Sequence, residues 1–113
     1  LHAMGTRVRL HICGNTNRIL DGIGSLQCDL VDIDHMVPLD QVRQAVGPNQ
    51  VIAGNIDPVT VVRNGTPAKI AAALAECHRQ AGAKYIVAAG CEIPRETPEP
   101  NVMAFRDYAR SSQ

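Results

Sequence analysis

The chain has 113 residues, enough for one domain with a buried core but few for an enzyme that encloses a large site. Its eleven basic and eleven acidic residues balance, so the charge gives no reason to expect nucleic acid or an anionic membrane surface as a partner. No apolar run approaches the roughly 20 residues that span a bilayer, and no signal peptide is recognisable, so we expect a cytoplasmic protein.

Apolar strands alternate along the chain with amphipathic helices. Residues 1–5 resemble the last turn of a helix that ends at Gly5, so we expect a structural element before them. The strands are predicted at about 7–12, 29–34, 50–53 and 84–89. The helices are predicted to turn inward Ile19, Leu20, Ile23 and Leu26 in the first, Leu39, Val42 and Val46 in the second, Ile70, Leu74 and Cys77 in the third, and Val102, Phe105 and Ala109 in the last.

This order of elements predicts the fold class. Strands that are each followed by a helix are typical of an α/β protein, with a parallel sheet joined by right-handed crossovers. Four such βα units are half of a (β/α)8 barrel. We therefore expect residues 1–113 to form a single half-barrel domain. A flavodoxin-like open sheet stays possible, although no glycine-rich phosphate loop favours it.

Every predicted strand ends in residues that can do chemistry, and in a barrel functional groups gather at the carboxyl ends of the strands. His11 and Cys13 lie on one face of a strand because side chains alternate, and Gly14 then lets the backbone turn. With Cys91, which also follows a glycine at a strand end, they form a zinc-type ligand set. The pairs at the four ends are His11 and Cys13, Asp34 and His35, Asn55 and Asp57, and Cys91 and Glu92.

Three sequence motifs lie at the predicted strand ends. They are His11-Ile12-Cys13-Gly14-Asn15, Gly54-Asn55-Ile56-Asp57-Pro58, and Gly90-Cys91-Glu92-Ile93-Pro94 with Thr97-Pro98 and Asn101-Val102. These motifs resemble the uroporphyrinogen decarboxylase superfamily, and more closely its zinc-dependent corrinoid methyltransferase branch, the methylcobamide:coenzyme M methyltransferases. The resemblance covers nearly the whole chain, but it corresponds to the C-terminal half of the family's barrel only.

The resemblance implies a zinc ion held by His11, Cys13 and Cys91, with Asp34 as the fourth ligand. It also implies a thiol that accepts a methyl group from a corrinoid such as methylcobalamin, and a corrinoid protein as a possible partner. Asn55, Asp57 and Glu92 are candidate substrate-binding residues. Asp57 could instead begin the next helix, and Glu92 could support the metal ligands or be solvated. Asp32 could pair inside the barrel, and His35 is interpreted as a surface or supporting residue.

Two rival functions stay open. One rival is a decarboxylase-like protein without metal. True decarboxylases of the superfamily differ from this chain in that they lack the His-x-Cys pair and have His at the position of Cys91. A non-catalytic half-barrel that serves as an assembly module is the other. Four parallel strands would leave two edges and an apolar face uncovered, so we expect a homodimer or an N-terminal half-barrel to cover them.

Overall fold

Four parallel strands form one sheet in the computed structural model, which describes residues 1–112. Each strand pairs with the next strand along the chain, and the register aligns His11 with Asp32, Asp32 with Ala53, and Ala53 with Ile86. This order is that of neighbouring strands in a (β/α)8 barrel and differs from the flavodoxin-like order, in which the first strand lies between the second and the third. The strands are β1, Arg9–Ile12; β2, Leu30–Ile33; β3, Val51–Ile56; and β4, Tyr85–Ala89.

Helices follow the strands, as the sequence predicts, and give four βα units. The longest helix begins where Thr66 Oγ1 accepts a hydrogen bond from the Lys69 N–H and Pro67 takes the first helical position. The α-helices are α1, Leu20–Ser25; α2, Leu39–Val46; α3, Pro67–Ala81; and α4, Glu99–Ser111. Short 3-10 turns cover His2–Met4 and Asn17–Ile19, and a π-helical segment covers Pro58–Arg63.

The core lies between the helices and one face of the sheet. Cys77 belongs to it, as its place on the α3 stripe predicts, and burial raises the pKa of its thiol. Its fully buried large side chains come from strands, helices and connecting segments alike, and they are Val31, Ile33, Val37, Leu39, Val42, Ile52, Val62, Ile70 and Leu74.

The third strand is longer than predicted. It continues through the cis peptide bond between Gly54 and Asn55 and ends at Ile56. Asp57 then caps the π-helical segment, because its Oδ1 accepts hydrogen bonds from the N–H groups of Val59 and Thr60. The alternative interpretation of Asp57, as the residue that begins a helix, is therefore confirmed.

Some predicted core residues are exposed. Ile19 and Leu26 are 48% and 60% exposed, because α1 is short and only Leu20 and Ile23 reach the core. On α4, Val102 is 41% exposed, whereas Asn101 beside it is buried. The buried face of α4 therefore includes Asn101 in place of Val102, whereas Phe105 packs against the core as predicted. None of the helices formed by residues 1–112 is long and apolar enough to cross a membrane.

Candidate metal centre

Three side chains from two strand ends converge at the carboxyl edge of the sheet. His11 lies in β1 and points to the same side as Cys13, where the chain leaves the strand. Gly14, at φ 88°, turns the backbone directly after Cys13. Cys91 follows β4 and brings its Sγ to 3.7 Å from that of Cys13. Nε2 of His11 lies 3.2 Å from the Cys13 Sγ.

The donor atoms of this cluster fit a zinc ion. All three lie within 4.8 Å of one another. Tetrahedral zinc with Zn–S bonds of about 2.3 Å separates two sulfur ligands by about 3.8 Å, which agrees with the observed sulfur–sulfur distance. Imidazole with two thiolates is a set that favours zinc over the hard cations magnesium and calcium.

Cys91 discourages ionisation of the Cys13 thiol. The hydrogen bond with Cys91, together with the charge that Cys91 would carry, raises the pKa of Cys13 above its ordinary value. A cation between the sulfurs would reverse this repulsion, because a coordinated thiol is deprotonated. The cluster therefore suits a bound cation better than two free thiolates.

Asp34 lies beside the cluster, and each of its two carboxylate oxygens accepts a hydrogen bond from a backbone N–H. One accepts a hydrogen bond from the Gly14 N–H at 2.6 Å, and the other accepts one from the His35 N–H at 2.7 Å. Burial opposes ionisation of this carboxyl, but these hydrogen bonds and the nearby His35 outweigh it and hold the pKa of Asp34 below its ordinary value. Among residues 1–112, Asp34 is outside the convergent donor set, so its role as a ligand stays a prediction.

A groove of about 710 Å³ opens next to the cluster. Its wall is mixed, because Arg9 and Asp32 contribute charge whereas Val102 and Phe105 contribute apolar surface. Glu92 lines it too, and its contact with a substrate stays a prediction. The groove gives the cluster a space in which a substrate could lie.

Asn55 and Asp57 are held by the scaffold. The Asn55 amide donates hydrogen bonds to the carbonyl oxygens of Asp34, at 3.1 Å, and of Val37, at 2.6 Å. Asp57 is the helix cap already described, with His35 Nε2 3.8 Å from its Oδ2. Within the described part of the chain neither lines the groove, so contact of either with a substrate stays a prediction.

Arg9 and Asp32 form a pair that the sequence reasoning did not assign to the site. The carboxylate of Asp32 is 6% exposed and accepts hydrogen bonds from the Arg9 guanidinium. The signal was available in the strand period, because Arg9 is two residues before His11 and therefore on its face.

The fold and the cluster together define a class of protein: part of a (β/α)8 barrel, with an imidazole and two thiols at the carboxyl ends of its strands. The family model of uroporphyrinogen decarboxylase (URO-D) matches residues 1–112. The chain belongs to the uroporphyrinogen decarboxylase family.

Similar proteins in this family include methyltransferases and decarboxylases. The chain is 35% identical over 104 residues to a methylcobamide:CoM methyltransferase of Methanosarcina mazei, covering 90% of this chain and 29% of that protein. It is 32% identical over 96 residues to a methylated-thiol–coenzyme M methyltransferase of the same organism, covering 85% of this chain and 25% of that one. A uroporphyrinogen decarboxylase of Frankia casuarinae is 38% identical over 53 residues, which are 47% of this chain and 14% of that protein.

A solved methyltransferase structure from Methanosarcina mazei has the same fold. It superposes with a TM-score of 0.86 at 24% identity, covering 98% of this chain and 33% of that one. The half-barrel prediction is confirmed by this match and by the strand order. The chain spans less than a third of the methyltransferases that it matches over most of its length.

Proposed function

We propose that this chain is the zinc-binding part of a thiol methyltransferase. The observation that carries the proposal is the convergence of His11, Cys13 and Cys91 within 4.8 Å. The similarity to two methyltransferases along most of the chain supports the reaction class.

Each residue of the site has a role in this proposal. Cys13 and Cys91 supply two sulfur ligands, and His11 supplies the third ligand through Nε2. Zinc, when bound, supplies the positive charge that keeps a substrate thiol deprotonated at neutral pH. Asp34 acts through the loop, because its hydrogen bond with the Gly14 N–H holds the backbone directly after Cys13. The fourth ligand position belongs to the substrate thiol in this proposal, and the predicted role of Asp34 as a ligand applies to the chain without substrate.

The groove beside the ligands would receive the reactants. Val102 and Phe105 give it an apolar wall, which favours entry of a methyl group and limits access of water. Glu92 offers a carboxylate that can accept a hydrogen bond from a substrate donor. The methyl donor that we propose is a corrinoid, because one of the similar methyltransferases is named for methylcobamide.

A metal-free decarboxylase-like function is the second candidate, and the similarity to a uroporphyrinogen decarboxylase over 53 residues favours it. Zinc content separates the two candidates. The chain should be purified without a metal-affinity step, under reducing conditions, and its zinc measured by mass spectrometry. We expect about one zinc ion per chain, because the single set of three donors found among residues 1–112 holds one ion.

Three variants test the ligands. Cys13→Ser and Cys91→Ser should each lose the zinc, whereas Cys28→Ser, a half-buried thiol outside the cluster, should retain it. Equal zinc in all three variants would contradict the assignment. A wild-type chain that takes up no zinc from a buffered solution would support the metal-free candidate. The methyl donor is tested in a separate experiment. We expect the visible spectrum of methylcobalamin to change when the zinc-loaded chain and a small thiol are added.

A further inference from the structure

The two ring nitrogens of His11 face different surroundings. Nε2 faces the Cys13 sulfur at 3.2 Å, on the side of the proposed metal. Nδ1 faces Asp32 on the other side, 3.3 Å from its backbone carbonyl oxygen and 3.5 Å from its carboxylate Oδ2. Asp32 is aligned with His11 on the neighbouring strand, so this contact follows from the sheet register.

The chemistry of these neighbours determines which nitrogen carries the proton. A carbonyl oxygen and an ionised carboxylate oxygen can only accept hydrogen bonds. Nδ1 must therefore be the N–H donor of the neutral ring, which leaves the lone pair on Nε2. That is the form of histidine that binds a metal through Nε2.

Asp32 is held in place for this contact. Its side chain is only 6% exposed. The Arg9 guanidinium, which is 65% exposed, donates hydrogen bonds to Oδ2 from Nε at 3.1 Å and from a terminal nitrogen. No hydrogen-bond donor among residues 1–112 reaches its other oxygen, Oδ1. A buried carboxylate is costly unless it is paired. Arg9 and His11 are the side chains that pair with it, so the contact with His11 is one of the two that offset the burial of the Asp32 carboxylate.

We propose that Asp32 is a positioning residue for His11: it fixes the protonated nitrogen at Nδ1 and so directs Nε2 to the metal ligand set, with Arg9 as its counter-ion. The effect of Asp32 on metal binding rests on the proposed zinc function. The tautomer of His11 does not require a metal, so it can be tested separately from zinc binding.

The tautomer is measured first, in the metal-free, reduced, ¹⁵N-labelled chain. At pH 8, long-range ¹H–¹⁵N spectra distinguish a protonated from an unprotonated ring nitrogen. We expect His11 to carry its proton on Nδ1 in the wild-type chain. In Asp32→Ala, where only the carbonyl oxygen remains as acceptor, the population with the proton on Nε2 should rise. A wild-type His11 protonated on Nε2 would overturn the proposal, whatever the zinc content.

Zinc affinity is measured second, by competition with a chromophoric chelator. Loss of a carboxylate that supports a histidine ligand typically weakens metal binding about 10- to 100-fold, and we expect this range for Asp32→Ala. Asp32→Asn keeps the shape of the side chain but removes its charge, and it should weaken binding about 10-fold. Asp107→Asn, at an exposed carboxylate on α4, is the control and should bind zinc as the wild type does.

The outcomes of the two measurements remain distinct. Zinc affinity within twofold of the wild type in both Asp32 variants would overturn the positioning role. A wild-type chain that binds no zinc, with His11 protonated on Nδ1, would refute the proposed function and leave the His11–Asp32 contact supported. Circular dichroism of each variant shows whether it is folded, and Asp32→Asn carries the test if Asp32→Ala does not fold.

Discussion

Asn101 gives the sharpest test of how the last helix is attached. Its side-chain amide is 3% exposed and donates two hydrogen bonds, to the carbonyl oxygens of Val62 at 2.7 Å and Gly65 at 3.1 Å. Asn101→Ala removes both donors. Each hydrogen bond contributes about 1 kcal/mol net, and a buried acceptor left without a partner adds to the loss, so we expect the free energy of unfolding to fall by about 2–3 kcal/mol.

Urea unfolding followed by far-UV circular dichroism measures this loss. For a chain of this size it corresponds to a fall in Tm of roughly 10 °C. Asn101→Asp should be worse than alanine at neutral pH, because a carboxylate would face two carbonyl oxygens with no donor. Gln44→Ala, at an exposed amide on α2, is the control and should change stability by less than about 0.5 kcal/mol. A loss that small for Asn101→Ala would refute the reasoning.

Two further predictions concern the helix cap and the assembly. Burial opposes ionisation of Asp57, but the hydrogen bonds that it accepts from Thr60 and Val59 hold its pKa below the ordinary value. Its contribution to stability is therefore present above about pH 4 and is lost as the pH falls through the lower pKa of the folded state. Asp57→Ala should therefore cost about 1 kcal/mol at pH 7 and flatten the acid limb of the stability curve, and an unchanged acid limb in urea melts would contradict this. For the assembly, β1 and β4 each pair with one strand only within residues 1–112, so we predict a homodimer that buries more than about 2,000 Å². A folded monomer at micromolar concentration in sedimentation equilibrium, with a melting temperature that does not change on dilution, would exclude it.

The alternation of strands and helices was predictable, because it depends on periods that each segment carries within itself. The start of α3 at Thr66 and Pro67 followed from local rules of the same kind. The burial of Asn101 on α4 was not predicted, because this polar side chain goes inward only where carbonyls 36 and 39 residues away accept its hydrogen bonds. A single sequence cannot reveal partners at that distance.

The site divides in the same way. The common face of His11 and Cys13 follows from the strand period, and the approach of Cys91 was expected because it also follows a glycine at a strand end. The three donor atoms lie within 4.8 Å of one another, and their binding of zinc stays a prediction. The hydrogen bonds of Asp34 depend on the path of the Gly14 turn, and those of Asn55 depend on the end of β2. Neither path could be derived from the order of residues. Asp34 was assigned to the site from the family resemblance, and Asn55 from its position at a strand end.

Two glycines restrict how the site can change in evolution. A Cβ at Gly54 would collide with the backbone carbonyl of Ile33, and a Cβ at Gly90 would collide with the backbone nitrogen of His35. The main chains of β3 and of the segment after β4 therefore touch the end of β2 directly, and no side chain can be inserted between them. Cys91 is next to such a fixed point, so the position of its backbone relative to the end of β2 is constrained. New chemistry at this edge of the sheet is accessible through a change of the donor at position 11, 13 or 91, whereas a change in the spacing between the donors would require the ends of β1 and β4 to be rebuilt together.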